Sequence, residues 1–194
     1  MKKEDSKKQA HRYNELNWTF SSSILWKKIS SENPTSLNLF QYADQLRLSG
    51  KYIESEEVYK KIDIQQIPSN SRFCYYATLG LLYQDQGKME QAIQAFKESV
   101  RSGTEETYPY IFLAVALTKQ SKIDEAENLL LEALTKNGDI DEVYCNLSTI
   151  YAQKGDFPKA IKAMKKCLKI DPLYPNAGEH LADFKNIVKK FKEK

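Results

Sequence analysis

Few side chains in this sequence have types and spacings that could support acid–base, nucleophilic or metal chemistry. The two histidines, His11 and His180, lie far apart, and neither belongs to an HExxH pattern that would place metal ligands on one helical face. Glu179 and Asp183 do cluster with His180, but a solvated helix surface explains them better than a ligand set. We therefore expect no metal site.

The three cysteines, Cys74, Cys145 and Cys167, are widely spaced and include no CxxC pair. This usage predicts neither a disulfide framework nor a zinc site, and no histidine lies beside any of them to create a thiolate nucleophile. The sequence also lacks GxSxG, Walker and GxGxxG motifs. We expect a protein that is not an enzyme and that takes no cofactor and no small-molecule substrate.

The composition indicates long helices in a water-soluble chain. Of 194 residues, 41% are hydrophobic and 28% charged, and only seven are glycine, which disfavours an all-β chain rich in tight turns. The absence of a long apolar run and the charged start, Met1 to Lys8, predict no membrane span and no secretory signal, so we expect a cytoplasmic protein. The net charge of +3 combines −3 for residues 1–153 with +6 for residues 154–194.

The structural elements that would carry a functional surface occur as repeats along the chain. Four similar dipeptides mark the turns: Gly50-Lys51, Gly87-Lys88, Ser121-Lys122 and Gly155-Asp156. Aligned on these turns, the repeats begin at Ser36, Phe73, Thr107 and Asp141, with separations of 37, 34 and 34 residues. A period of this length is typical of arrays of helical hairpins.

Within one repeat the apolar residues follow a helical period. In the second repeat these residues are Tyr76, Leu79, Gly80, Tyr83, Ala92 and Phe96. They recur at intervals of three and four, which predicts two amphipathic helices packed as a hairpin. Their spacing is similar to the W-x2-L-G-x2-Y, A-x3-F and P pattern of the tetratricopeptide repeat, and the fourth repeat ends at the matching Pro172. The chain resembles that family over residues 36–172.

The resemblance implies an all-α fold, a right-handed α-solenoid of about four hairpins with a C-terminal capping helix. The approximate repeats are residues 36–69, 73–106, 107–140 and 141–174. Residues 175–194 would form the capping helix and a basic tail. Residues 1–35 are either a helical cap, with Tyr13 and Trp18 in or near its first helix, or a mobile charged arm.

The resemblance also implies that the protein is an interaction scaffold or adaptor, which binds a peptide or helix of a protein partner in a partly apolar concave groove. The first helix of each repeat would line that groove. The residues expected there are Phe40, Gln41, Asp44, Ala77, Thr78, Leu81, Tyr108, Ile111, Phe112, Val115, Asn146 and Thr149. The family's carboxylate clamp for acidic chaperone tails is missing, because its cationic positions hold residues such as Leu37 and Tyr108.

Two alternatives remain open from the sequence. The lysine-rich end could make the chain an accessory nucleic-acid or anionic-surface binder, although aromatic side chains suited to base stacking are sparse there, so nucleic acid is the less favoured partner. The chain could also be a stoichiometric inhibitor or immunity-type subunit. The sequence specifies neither the partner nor the oligomeric state.

Overall fold

A computed structural model describes residues 3–15 and 19–193, so that Trp18 lies outside the described residues. Within these ranges the secondary structure consists of helices and a single isolated bridge between Glu106 and Asn137. The α-helices are α1 (Lys3–Glu15), α2 (Thr19–Glu32), α3 (Ser36–Leu48), α4 (Tyr52–Tyr59), α5 (Arg72–Asp85), α6 (Met89–Arg101), α7 (Tyr108–Lys119), α8 (Ile123–Ala133), α9 (Ile140–Gln153), α10 (Phe157–Ile170) and α11 (Ala177–Lys192).

The chain divides into two compact bodies, residues 1–102 and residues 103–194. In the first, helices pack as the consecutive pairs α1–α2, α3–α4 and α5–α6. The core between α3, α4 and α5 is aromatic: the Tyr59 ring centroid lies 6.3 Å from that of Phe40 and 5.5 Å from that of Tyr75. Burial raises the pKa of Tyr75 to about 12. The Tyr59 hydroxyl, buried in the same core, donates to Thr78 Oγ1 at 2.9 Å.

In the second body, α7 pairs with α8, α9 pairs with α10, and α11 packs against α10. Phe184 of α11 contacts the ring of Phe157 at a centroid distance of 6.2 Å. The loops that precede α7 and α9 lie side by side, since Thr107 N donates to Asn137 O at 2.9 Å. The loop hydrogen bond joins the segments that lead into α7 and α9, and these two helices also contact each other.

Small residues twelve positions apart face each other where the helices of a pair cross. Ala43 and Ser55 are both fully buried, and the Ser55 hydroxyl donates to the Ala43 carbonyl at 2.7 Å. Ser22 donates in the same way to Ala10, at 3.3 Å and at the same sequence separation. The polar serine is accommodated because it satisfies a buried carbonyl.

The N-terminal segment, for which a helical cap and a mobile arm were both considered, forms α1 and α2 in its described part. Trp26 and Ile29 of α2 are buried around Ala10 of α1. The ring of His11 contacts Trp26 edge-on at 5.0 Å.

Candidate protein-binding groove

The local sequence explains why α7 is buried over most of its surface. Pro109 lies in the first turn, where its missing N–H costs no hydrogen bond, and Thr107 precedes the helix. Tyr110, Leu113 and Leu117 are buried, and α7 packs against α8. The helix is then apolar nearly all round, so that its remaining side must be covered or must serve as a binding surface.

Between α7 and α9 lies a groove of about 220 Å³, which we call the α7–α9 groove. Its floor is formed by buried Ala114, Leu130 and Ile150. Its walls are formed by Val115, Thr118 and Lys119 on α7 and by Asn146 and Thr149 on α9. The volume is below that of most small-molecule sites but suits an apolar side chain of a protein segment.

The polar side chains of the groove are tied to their own helices. Thr118 Oγ1 donates to the Ala114 carbonyl at 2.8 Å, and the Asn146 side-chain amide donates to the Glu142 carbonyl at 2.9 Å. Thr149 Oγ1 donates to the Cys145 carbonyl at 3.3 Å. After these bonds are made, the two threonine oxygens and Asn146 Oδ1 keep acceptor capacity, and Asn146 keeps one N–H donor. The walls can therefore accept hydrogen bonds from a bound segment without leaving a buried group unsatisfied.

The two helices that border the groove differ in charge. Lys119 is exposed at the end of α7, whereas Glu142 is half-buried in the first turn of α9. Burial raises the pKa of Glu142, and the neighbouring carboxylates of Asp139 and Asp141 raise it further. The first turn of α9 is thus acidic, and the ionised form of the Glu142 carboxyl group is disfavoured there.

Six of the twelve expected groove residues lie in the second body, and the structure brings three of them together in the α7–α9 groove: Val115, Asn146 and Thr149. Tyr108 and Phe112 are half-buried, with ring centroids 5.7 Å apart. Ile111 is only 1% exposed, so its assignment to a binding surface is corrected: packing against neighbouring helices places it in the core.

The other six expected residues lie in the first body, and two of them also require correction. Phe40 is buried in the aromatic core and Ala77 is 1% exposed, so neither side chain can contact a ligand there. Leu81 and Gln41 are half-buried.

Two expected polar residues of the first body, Asp44 and Thr78, form bonds within that body. The Asp44 carboxylate pairs at 3.1 Å with Arg47, whose guanidinium also contacts Asp85 at 3.2 Å. Thr78 Oγ1 donates to the Cys74 carbonyl at 2.9 Å and accepts from Tyr59. These bonds tie α3 to α5 and α4 to α5, which is a structural use of polar residues on the expected groove side.

Five lining residues of the α7–α9 groove were not among those expected: Ala114, Thr118, Lys119, Leu130 and Ile150. A helical spacing could have identified three of them, since Thr118 and Lys119 follow Val115 by three and four positions and Ile150 follows Asn146 by four. Leu130 comes from the second helix of its pair. Its place in the groove does not follow from a helical spacing along α7 or α9, because Leu130 belongs to α8 and reaches the groove through the gap between those two helices.

The family assignment follows from a comparison of the whole chain with known families. The family model described as the SusR N-terminal TPR domain matches residues 21–167, which is more than half of the chain. The chain belongs to the tetratricopeptide-repeat family. This membership and the helical content confirm the all-α tetratricopeptide fold class expected from the sequence.

Similar proteins support the tetratricopeptide assignment. The structure of TTC0263, a tetratricopeptide protein of Thermus thermophilus, superposes with a TM-score of 0.72 at 18% identity, covering 94% of this chain and 98% of that one. The structure of YrrB, a tetratricopeptide protein with an unusual peptide-binding site, superposes with a TM-score of 0.67 at 15% identity, covering 88% and 87%. At these identities the similarity shows the fold alone.

A relative whose name denotes an enzyme matches about half of the chain. Human protein O-mannosyl-transferase TMTC2 is 29% identical over 102 residues, which is 51% of this tetratricopeptide chain but 12% of that protein. The chain thus spans a small fraction of that relative. Tetratricopeptide neighbours are typically non-catalytic scaffolds. Among the described residues, no helix is both long and apolar enough to span a bilayer.

Proposed function

We propose that this tetratricopeptide protein is a non-enzymatic scaffold that binds a segment of a protein partner in the α7–α9 groove. The observation that carries the proposal is the groove itself, an apolar floor of Ala114, Leu130 and Ile150 between two walls that offer hydrogen-bond acceptors. The tetratricopeptide fold suggests an interaction scaffold, and YrrB, which shares the fold, is described as having a peptide-binding site.

The size and lining of the groove favour a peptide or helix over a small molecule. A volume of about 220 Å³ holds one large apolar side chain, and the open walls leave room for a backbone to continue on either side. Val115 on one wall and Thr149 on the other would contact that side chain. Asn146 and Thr118 would accept hydrogen bonds from backbone N–H groups of the bound segment.

A photocrosslinking experiment in the source cells tests this proposal. A photoreactive amino acid replaces Thr149, which is exposed on α9, and in a matched protein it replaces Asn128, which is exposed on α8 outside the groove. We expect a protein partner to be captured from position 149 and not from position 128. Equal capture from both positions would argue against the groove as the binding site.

The captured partner then allows a quantitative test. Thr149→Arg adds a long charged side chain to the wall of the groove without disturbing buried packing, and Asn128→Arg is the matched control. We expect the affinity for the partner segment to fall at least about tenfold for Thr149→Arg and to stay within about twofold for Asn128→Arg. The cytoplasmic location remains a prediction from the sequence.

A further inference from the structure

The solvent-facing side of α10 carries five lysines and is separate from the α7–α9 groove. They are Lys159, Lys162, Lys165, Lys166 and Lys169, all exposed. The buried side of the same helix is formed by Ala160, Ala163, Met164 and Cys167. Because the buried side is wholly apolar or small, the helix is fixed in rotation and the lysines must remain on the surface.

Most of this positive charge is not neutralised by the chain itself. Lys159 pairs with Asp156 at 3.0 Å. Lys166 lies 4.7 Å from the ring centroid of Tyr144 and 3.3 Å from its hydroxyl oxygen, contacts that leave the positive charge in place. Within the described ranges, Lys162, Lys165 and Lys169 form no ion pair. This surface attracts polyanions at low ionic strength.

Large apolar side chains are exposed at the C-terminal end of α10, next to the lysines. Ile170, the last residue of α10, is 53% exposed, and Leu173 is 89% exposed in the loop that follows. The loop is well held, since Leu173 N donates to Asp171 Oδ1 at 2.9 Å and Tyr174 packs on the core formed with Cys167. Leu173 is therefore displayed outward by an ordered turn.

The lysines also border an open depression. A shallow groove of about 480 Å³ is lined by Pro158, Ile161, Lys162, Lys165, Lys166 and Lys169. Its bottom is aliphatic and its edges are ammonium groups. In a surface of this kind the lysine stems cover apolar surface while their ammonium groups stay in water.

We propose that α10 and the Leu173 turn bind the anionic lipid surface of a membrane. Lysines near such a surface gain attraction from its negative potential, and exposed aliphatic side chains gain by entering the boundary between headgroups and acyl chains. Nucleic acid accounts for the lysines but not for Ile170 and Leu173. The aromatic rings beside this face, Tyr144 and Tyr151, are each covered by a lysine ammonium group, at 4.7 and 5.6 Å from the ring centroid, so that they are not free to stack on single-stranded bases.

Vesicle co-sedimentation of the full chain tests the proposal. The probes are vesicles of phosphatidylcholine alone and vesicles in which about a third of the lipid is phosphatidylserine. We expect binding to the anionic vesicles only, and binding that weakens as salt is raised. Absence of binding to anionic vesicles at low salt would overturn the proposal.

Charge-reversal variants test whether the lysines of α10 form the surface that binds the vesicles. Lys162→Glu combined with Lys169→Glu should lower the vesicle partition coefficient at least about 20-fold, since each lysine near an anionic surface contributes about fivefold. The matched control is Lys27→Glu combined with Lys28→Glu, two exposed lysines of α2 that change the net charge equally. An equal loss in both double variants would show a general charge effect and overturn the assignment to α10.

An apolar substitution distinguishes a lipid surface from nucleic acid. Leu173→Ser should lower vesicle binding about tenfold, because a leucine no longer enters the lipid, while leaving binding to a 20-base-pair DNA duplex unchanged. Ile53→Ser, at a side chain 76% exposed on α4, is the matched control and should change neither. If Leu173→Ser leaves vesicle binding intact, the surface binds polyanions through charge alone and the lipid proposal fails.

Discussion

The ring of Phe96 on α6 lies directly over Gly80 on α5, so that a Cβ atom added to Gly80 would come within 2.5 Å of Phe96 Cδ1. Both residues are buried, and Phe96 has no measurable exposure. The helices of this pair approach closely because position 80 has no side chain. Ala92, the other small residue at this crossing, is also fully buried one turn before Phe96.

This contact predicts that even a methyl group at position 80 is costly. Gly80→Ala should lower the free energy of unfolding by about 1 to 3 kcal/mol, and Gly80→Leu by more, because the Phe96 ring must leave its place in the core. Gly178→Ala is the control, since a Cβ there meets no atom within 4 Å. Urea denaturation that gave Gly80→Ala and Gly178→Ala equal midpoints would refute the packing at this crossing.

Ser121 has φ of 60°, a left-handed conformation that at the equivalent turns is taken by Gly87, with φ of 75°, and Gly155, with φ of 77°. A side chain disfavours this conformation, so Ser121→Gly should raise the free energy of unfolding by about 1 kcal/mol. The converse variant, Gly155→Ser, should lower it by a similar amount. Thermal unfolding of both variants checks the prediction, and a destabilised Ser121→Gly would contradict it.

Glu56 on α4 contacts two side chains that follow α5, with its carboxylate 2.8 Å from Lys88 Nζ and 2.8 Å from Gln86 Nε2. Both hydrogen bonds lower the pKa of Glu56 from its usual 4.5, with that to Lys88 the stronger. The ionised form therefore stabilises the fold above about pH 4.5, and this contribution is lost as the pH falls through the lowered pKa.

We therefore expect Glu56→Gln to lower the thermal midpoint at pH 7 and to have a progressively smaller effect as the pH falls below 4.5. The effect at pH 7 should be at most about 1 kcal/mol, because the pair is partly screened by solvent. Glu57→Gln, in an exposed pair with Lys60, serves as the control and should have little effect at pH 7. A difference between Glu56→Gln and the parent that grew on acidification would contradict the assigned role.

Phe112 tests how far the binding surface extends along α7 from the α7–α9 groove. If the surface includes this ring, Phe112→Ala should weaken binding of the captured partner by about 2 kcal/mol while moving the melting temperature by no more than about 2 °C. Isothermal titration and thermal unfolding of the same protein provide both values. A large fall in melting temperature would instead show that the Phe112 ring belongs to the core and that the binding surface does not extend beyond Val115.

The helical period and the small residues could be predicted from the sequence because they depend on short-range geometry. The turns at Gly50, Gly87 and Gly155 have the left-handed φ that their glycines indicate. The 34-residue period and the tetratricopeptide pattern predict the family from the sequence, since each position in a helical hairpin demands a residue of limited size. Gly80 belongs to the helical pattern of the second repeat, whereas only the structure shows that the Phe96 ring is the group packed against it.

Tertiary structure alone decided which side chains on the first helices remain open. Ile111 and Val115 are four residues apart on the same side of α7, yet Ile111 is buried and Val115 lines the groove. A helical period gives the direction in which a side chain points but not the depth of the neighbouring helix at that point. That depth depends on residues distant in sequence, such as Leu130 at the floor of the groove and the paired loops at Thr107 and Asn137. For the same reason the partly apolar binding surface stays a prediction from the sequence, whereas the position of the α7–α9 groove comes from the packing.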